Sequence, residues 1–263
     1  MAKLNEGVAV VTGGGSGMGR AISLRFAASG TRVVVAGRTA AGLEETVSLI
    51  RSAGGEAAAC VADVAVESDM RRMVELAVSR YGRLDFAANV AGVAQIPKLM
   101  HLFTLDEFEE DHAVNSRGVF LSMKHEISAM LEAGSGSIVN VTSCAGMAGF
   151  AFYSAYTAAK HAAIGLTRAA ALEYADKGIR INSVAPGAIA TPMLLDNPPE
   201  VLDPMRDTIP MRRFGTPEDI AAATVWLCSD DAAYVTGQVL PVEGAYSTSA
   251  ITIVSSSDFV RRI

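Results

Sequence analysis

The 263-residue chain is poor in the residues that build metal and redox centres: three cysteines and four histidines. Cys60, Cys144 and Cys228 are far apart and odd in number, so they form no disulfide framework and no metal or thiol-redox pattern. His101, His112, His125 and His161 show no ligand spacing along a helix face, and no catalytic metal is expected. Charge is also scarce, at 19% of residues, with a net value of −6. Arginine pairs occur at Arg71–Arg72, Arg212–Arg213 and Arg261–Arg262, but they are scattered and read as solvated side chains. Without a basic stripe, nucleic acid is not expected as a partner. No apolar run reaches the length of a membrane span, although mean hydropathy is +0.30. Asn5 and Glu6 precede a first apolar run that reads as a strand rather than a leader. These absences together point to a soluble protein of the reducing cytoplasm.

What the chain has is apolar surface, half of all residues. That is enough for one sizeable α/β domain over residues 1–263. Short apolar runs alternate with amphipathic stretches. The runs are Val8–Thr12, Arg32–Ala36, Glu56–Ala62, Leu84–Ala88, Ser137–Val141, Ile179–Val184 and Val239–Val242. The helical stretches between them begin with Gly19–Ala28, Ala40–Ala53 and Ser68–Tyr81. Thr104 with Glu107 three residues on is a capping box, starting a helix that reads as continuous to about Glu132. Glu107, Glu109, Glu110 and Asp111 fall in its first turns and read as a solvated face favoured by the helix dipole. A further helix covers roughly Tyr153–Asp176, and Thr216-Pro217 opens another. The pattern predicts a doubly wound parallel sheet of about seven strands with helices on both faces. Six prolines between Pro186 and Pro210 read as breaks, making 192–215 a candidate substrate lid. Residues 251–263 read as a tail.

Chemistry enters at the first strand-to-helix turn, Thr12-Gly13-Gly14-Gly15-Ser16-Gly17-Met18-Gly19. Glycines supply positive φ there and let backbone approach a pyrophosphate at the N-terminus of the following helix. An ordinary turn is the plainer reading, which the strand-before, helix-after context disfavours. The second strand ends Val35-Ala36-Gly37-Arg38. Gly37 offers no carboxylate for a ribose 2′-hydroxyl, whereas Arg38 could pair a 2′-phosphate, so the reading favours NADP while leaving NAD open. Tyr156 and Lys160 lie four apart in a helical stretch, hence on one face. A neighbouring cation favours the phenolate and lowers a tyrosine pKa, which suits general acid–base catalysis.

With these motifs the sequence resembles the short-chain dehydrogenase/reductase family over roughly residues 5 to 246. Thr12–Gly19 is similar to its Thr-Gly-x-x-x-Gly-x-Gly. Asn89-Val90-Ala91-Gly92 resembles its Asn-Asn-Ala-Gly, departing at Val90. Ser143 precedes Tyr156-Thr157-Ala158-Ala159-Lys160, a Tyr-x-x-x-Lys, by the usual distance. Pro186-Gly187 with Thr191 matches the segment after the sixth strand. The resemblance implies a Rossmann-like fold and a hydride transfer between a nicotinamide and an alcohol or ketone. Tyr156 would exchange the proton, and Lys160 would tune it and hold the nicotinamide ribose. Ser143 would bond the substrate oxygen, and Asn115 would hold a water linking Lys160 to solvent. Gly13, Ser16, Gly17, Met18 and Gly19 would meet the pyrophosphate side, Asp63 would contact the adenine, and Val64 would also bind the cofactor. Asn89 would lie beside the adenosine ribose and Ile189 and Thr191 would meet the carboxamide, while Ala91, Gly92, Pro186 and Gly187 would also bind the cofactor.

Gln95, Ala145, Met147, Phe150, Phe152, Tyr153, Met193, Leu194 and Leu195 are the expected pocket walls. Their apolar character suits a neutral, hydrophobic ketone or secondary alcohol, though core packing explains some of them equally well. The family also implies a homotetramer assembled through two long helices and the last strand. Two alternatives remain: a 3-oxoacyl carrier-protein reductase, which would need a basic docking patch, and a catalytically idle cofactor-binding member. The presence of Asn115, Ser143, Tyr156 and Lys160 together argues against the second.

Overall fold

A computed structural model describes Leu4 and residues 7–247 of the chain. Asn5, Glu6, the pair Arg261–Arg262 and the tail 251–263 lie outside the described residues. Seven parallel strands form one sheet: β1 (Val8–Thr12), β2 (Arg32–Gly37), β3 (Ala57–Val61), β4 (Phe86–Asn89), β5 (Gly136–Val141), β6 (Ile179–Pro186) and β7 (Val239–Val242). Their spatial order is β3-β2-β1-β4-β5-β6-β7. Between and beyond them run α1 (Gly17–Ala28), α2 (Ala40–Ser52), α3 (Glu67–Tyr81), α4 (Leu105–His112), α5 (Gly118–Ala133) and α6 (Ser154–Tyr174). The last three are α7 (Pro192–Leu195), α8 (Pro199–Thr208) and α9 (Pro217–Cys228).

The strands are apolar without alternation because both faces are covered. Their period of two deals successive residues to opposite cores. Val8, Val10 and Val34 join one core with α3 and α5 residues such as Met73 and Ile127. Ala9, Val11, Val33 and Val35 join the other, with Ile22, Phe26, Leu43 and Ile220. β1 pairs with β2 on one side and β4 on the other, so successive strands build outward from β1 in opposite directions. That reversal opens a crevice at the carboxyl ends of β1 and β4, where doubly wound sheets bind ligands.

Two expected elements differ. The helix after Thr104 keeps its capping box but is not continuous. A π turn, Ala113–Arg117, separates α4 from α5. The reason lies in Asn115, wholly buried, whose side chain is clamped by Val93: Nδ2 donates to Val93 O at 2.8 Å and Oδ1 accepts from Val93 N at 3.2 Å. A wider turn accommodates that inserted clamp, as π turns at functional positions do. The segment 192–215 is also not irregular throughout, since it carries α7 and α8. Pro192 and Pro199 sit in the first turns of these helices, where a missing N–H costs nothing, so two of the expected breakers are starters. Thr216 caps α9 as expected, with Pro217 in its first turn.

Candidate active site

A groove of about 580 Å³ crosses the carboxyl ends of β1, β2 and β4. Its floor is the glycine turn. Gly13 sits at φ +66°, and a carbon added to Gly19 would stand 2.1 Å from the Gly13 carbonyl oxygen. Only glycine allows the helix to start this close to the strand. Ser16 is the N-cap of α1, but its side chain makes no cap bond, so the first amides of the helix face the groove unanswered by it. Unpaired amides at a helix N-terminus are suited to an anion. Gly17 and Met18 line the same wall, and Thr191 closes over it, its Cγ2 3.3 Å from where a Gly17 side chain would begin.

Toward β2 the groove reaches Arg38, and toward β3 Asp63 and Val64. Arg38 is exposed and has no hydrogen-bond or ion-pair partner among the described residues. Arg20, by contrast, is held by Glu45 and by Gly15 O. Ala91 and Gly92 form the β4 wall. The amides of Val90 and Ala91 both donate to Thr12 Oγ1, at 2.9 and 3.2 Å, so the valine in the Asn-Val-Ala-Gly segment keeps the backbone junction with β1.

Several expected positions lie elsewhere. Asn89 does not line the groove; its buried Nδ2 donates to Glu126 Oε2 and Asn140 Oδ1, both at 3.0 Å. The end of β4 places it inside the sheet rather than at its rim. Pro186 closes β6, and Gly187 packs against Glu243, where a Cβ would come within 2.8 Å. Ile189 is a core residue, while its carbonyl accepts from Thr191 N and so sets the Thr191 loop.

Behind Gly92, outside the groove's own lining, stand Asn115 and Lys160, and with them Tyr156 and Ser143, four side chains from three different elements. Ser143, just past β5, caps a short turn by accepting from Ala145 N at 3.1 Å. Tyr156 and Lys160 are successive turns of α6, with Lys160 Nζ 5.5 Å from the tyrosine ring centroid. Lys160 is 3% exposed, and Nζ bonds Val141 O at 3.4 Å. A carbon on Gly92 would lie 3.0 Å from Asn115 Oδ1 and 3.5 Å from Lys160 Nζ, so the amide and the ammonium share one corner.

Burial dominates the electrostatics here. Desolvation pushes Tyr156 up to about 12, against a hydrogen bond from Ser143 that pulls it down. The lowered phenol expected from the Tyr156–Lys160 spacing is therefore not found in the chain by itself. Lys160 Nζ lies 5.5 Å from the ring centroid and makes no hydrogen bond to the hydroxyl, and loss of solvent sets the direction. Burial also pulls Lys160 down to about 8, while Asp111 pushes it up. Asp111 corrects a second expectation: it is 1% exposed, not part of a solvated face. Its fourfold spacing to Asn115 was the sequence signal that could have found it.

Of the expected pocket walls, Ala145 is buried in the turn that Ser143 caps and walls nothing open. Gln95 turns to Glu110, 2.8 Å away. Met147, Phe150 and Tyr153 are half-buried in the segment before α6, and Leu194 lies on α7. The Met193 side chain is outside the description. The ring of Tyr246, which no motif marked, lies 5.9 Å from that of Phe150. Phe152 holds a left-handed φ of +70° while its carbonyl accepts from Lys98 N.

This geometry meets known proteins at once. Residues 13–247 match the family model described as enoyl-(acyl carrier protein) reductase. Cyclohexanol dehydrogenase of Acinetobacter sp. (strain SE19) is 43% identical over 94% of this chain and 97% of its own. The chain belongs to the short-chain dehydrogenase/reductase family. The crystal structure of levodione reductase, an enzyme known from Leifsonia aquatica, superposes with a TM-score of 0.89 at 38% identity, covering 92% of this chain and 98% of that one. An actinorhodin polyketide ketoreductase variant with NADPH (TM-score 0.89, 33% identity, 94% and 99% covered) is similar. So is 7-alpha-hydroxysteroid dehydrogenase with NADH and 7-oxo glycochenodeoxycholic acid (0.88, 34%, 92% and 94%). Membership makes this chain a nicotinamide-dependent oxidoreductase acting on alcohol or ketone groups.

Proposed function

We propose that the chain interconverts a neutral, hydrophobic secondary alcohol and its ketone with NADP(H), Tyr156 acting as general acid and base. One observation carries this reading: a buried ammonium, Lys160, stands 5.5 Å from the Tyr156 ring and directly behind Gly92, a wall residue of the groove floored by uncapped helix amides. The cofactor, when bound, supplies or accepts the hydride. The chain does the rest. The backbone of Gly13 to Gly19 and the α1 N-terminus hold the pyrophosphate. Arg38, without a partner among the described residues, holds the 2′-phosphate that separates NADP from NAD. Asp63 and Val64 take the adenine side, and Ile189 and Thr191 the carboxamide side.

At the reacting centre, Ser143 and Tyr156 donate to the substrate oxygen. In reduction Tyr156 releases its proton to the oxygen as negative charge develops there. In oxidation it takes the alcohol proton. The neutral phenol favoured by burial is the form that donates in reduction. Lys160 stabilises the tyrosine anion left behind, and Asn115 links it to solvent through a held water. A half-buried apolar rim of Met147, Phe150 and Leu194 supports a hydrophobic substrate. Carrier-protein docking is less favoured, because Lys98 is paired with Glu107 and Lys177 with Asp176. Segment 192–215 acts as the lid. Exposed Phe120 and Leu172 on the long helices support assembly into a homotetramer.

Steady-state kinetics with NADPH and NADH across cyclic ketones tests the reading. Tyr156→Phe should cost 10²- to 10⁴-fold in kcat, on the order of a general acid–base contribution. Native turnover by that variant would refute the mechanism, and preference for NADH would refute the cofactor assignment. NADPH quenching without turnover on any ketone would mark an idle binder.

A further inference from the structure

Asp111 lies one turn before Asn115 on the helical run that the π turn interrupts. Its Oδ1 is 3.5 Å from Asn115 Nδ2. The other hydrogen of that amide goes to Val93 O at 2.8 Å, so the two amide hydrogens are divided between the β4 loop and Asp111. Asp111 Oδ2 is buried with no hydrogen-bond partner. A buried carboxylate oxygen without a partner is costly unless a cation offsets it. The groups facing Asp111 are Glu107 and Glu110 from its own helix, and Lys160 and Tyr156 from α6. Lys160 alone among these is a cation, and Asp111 is in turn the one charge that supports the buried Lys160 ammonium. Asn115 lies beside both, its Nδ2 toward Asp111 and its Oδ1 sharing the Gly92 corner with Lys160 Nζ.

We propose that Asp111 is a positioning residue: its buried carboxylate supports the Lys160 ammonium and fixes the Asn115 amide that lies beside both. The proposal deepens the reading of Tyr156 and Lys160 as the proton-handling pair, and rests on it. No bond to substrate is involved, since Asp111 acts through Lys160.

The sign follows from the neighbours. Burial lowers Lys160 to about 8, and the negative charge of Asp111 opposes that fall. Neutralising Asp111 leaves burial unopposed, so Lys160 loses its proton at lower pH. Ketone reduction then loses its cation earlier on the alkaline side. At pH 6 Lys160 stays charged with or without Asp111, so the effect is confined to the alkaline limb.

Asp111→Asn preserves shape and removes charge. In the full-length chain, its kcat profile for ketone reduction should carry an alkaline limb about one pH step lower than the native one, the scale of a close charge pair. KM for the nicotinamide should stay within about twofold, because Asp111 is not in the groove. A variant merely loosened in structure would lose kcat evenly at all pH values, and an unmoved limb overturns the proposal. A second measurement needs no Asp111 variant. Carbon-13 NMR of aspartate-labelled chain follows the Asp111 carboxyl, raised by burial to about 6. In Lys160→Met its midpoint should rise further, because coupling is reciprocal. Coincident midpoints overturn the proposal. Tyr156→Phe separates the two levels: native turnover there removes the active-site reading, while the Asp111–Lys160 coupling is decided by the NMR titration alone.

Discussion

Replacing Glu126 by glutamine should make the protein more stable at pH 8 and remove a large part of its pH dependence. Glu126 is fully buried on α5, accepts from Asn89 Nδ2 at 3.0 Å through Oε2, and leaves Oε1 without a partner. Burial raises its pKa from 4.5 to about 8. Between those values the folded chain keeps a proton that the unfolded chain has released. Stability therefore falls as pH rises, by about 1.4 kcal/mol per pH step. The contribution is fully present below pH 4.5 and gone above about 8. Across the window the loss is on the order of 4–5 kcal/mol. Glutamine keeps the acceptor for Asn89, has nearly the same shape and does not titrate. Urea unfolding of both chains at pH 5, 6.5 and 8, at one protein concentration, isolates the effect, since all other titrations cancel in the difference. The variant should gain on the native chain by several kcal/mol between pH 5 and 8. Parallel pH curves would show that Glu126 is hydrated or paired and the reasoning wrong.

Arg38→Ser should weaken NADPH binding about 10- to 100-fold, the worth of a charge-assisted contact, and leave NADH nearly untouched; equal losses for both cofactors would refute the 2′-phosphate role. Gly19→Ala forces a carbon to 2.1 Å from the Gly13 carbonyl oxygen, so the turn must shift. NADPH affinity measured by fluorescence should fall roughly 100-fold, as such displacements typically cost. Thr216→Ala removes the acceptor for Asp219 N in the α9 cap. It should cost about 1 kcal/mol, seen as a Tm about 2–4 °C lower, with turnover unchanged.

The parts of this molecule legible in the sequence are those decided by neighbours along the chain. The seven strands follow from apolar runs whose alternate residues serve two cores, as with Val8 and Ala9. Glycine spacing at Gly13, Gly17 and Gly19, and the Thr104 and Thr216 boxes, mark their turns and caps because these are local geometry. Proline reads less cleanly. At Pro192 and Pro199 the same residue that ends helices begins them, and only the structure of the preceding residue decides which. Burial of charge is not local at all. Asp111 stands among Glu107, Glu109 and Glu110 in the sequence, where its one local mark is the fourfold spacing to Asn115, and that spacing does not by itself say that the carboxyl is buried. Asn89 sits in a cofactor motif yet serves Glu126 and Asn140, a choice fixed by β5 and α5 meeting across β4.

The buried ionisable groups share a pattern that says why the site sits where it does. Asp111 and Lys160 flank Asn115, while Glu126 lies farther along α5, tied through Asn89 to the end of β4. Each costs folding energy, and none of the three has its full set of partners inside the protein. Such costs survive where the surrounding structure over-determines the arrangement. Here the over-determination comes from the π turn and its Val93 clamp, with Asp111 taking the remaining amide hydrogen of Asn115. An amide fixed beside Asp111 and Lys160 holds the two charges at a set separation, so on the proposal above a change at one is felt at the other. The Tyr156 proton, two steps along that chain, then answers to a carboxyl on a different helix, and this is the coupling that the Asp111 experiments measure.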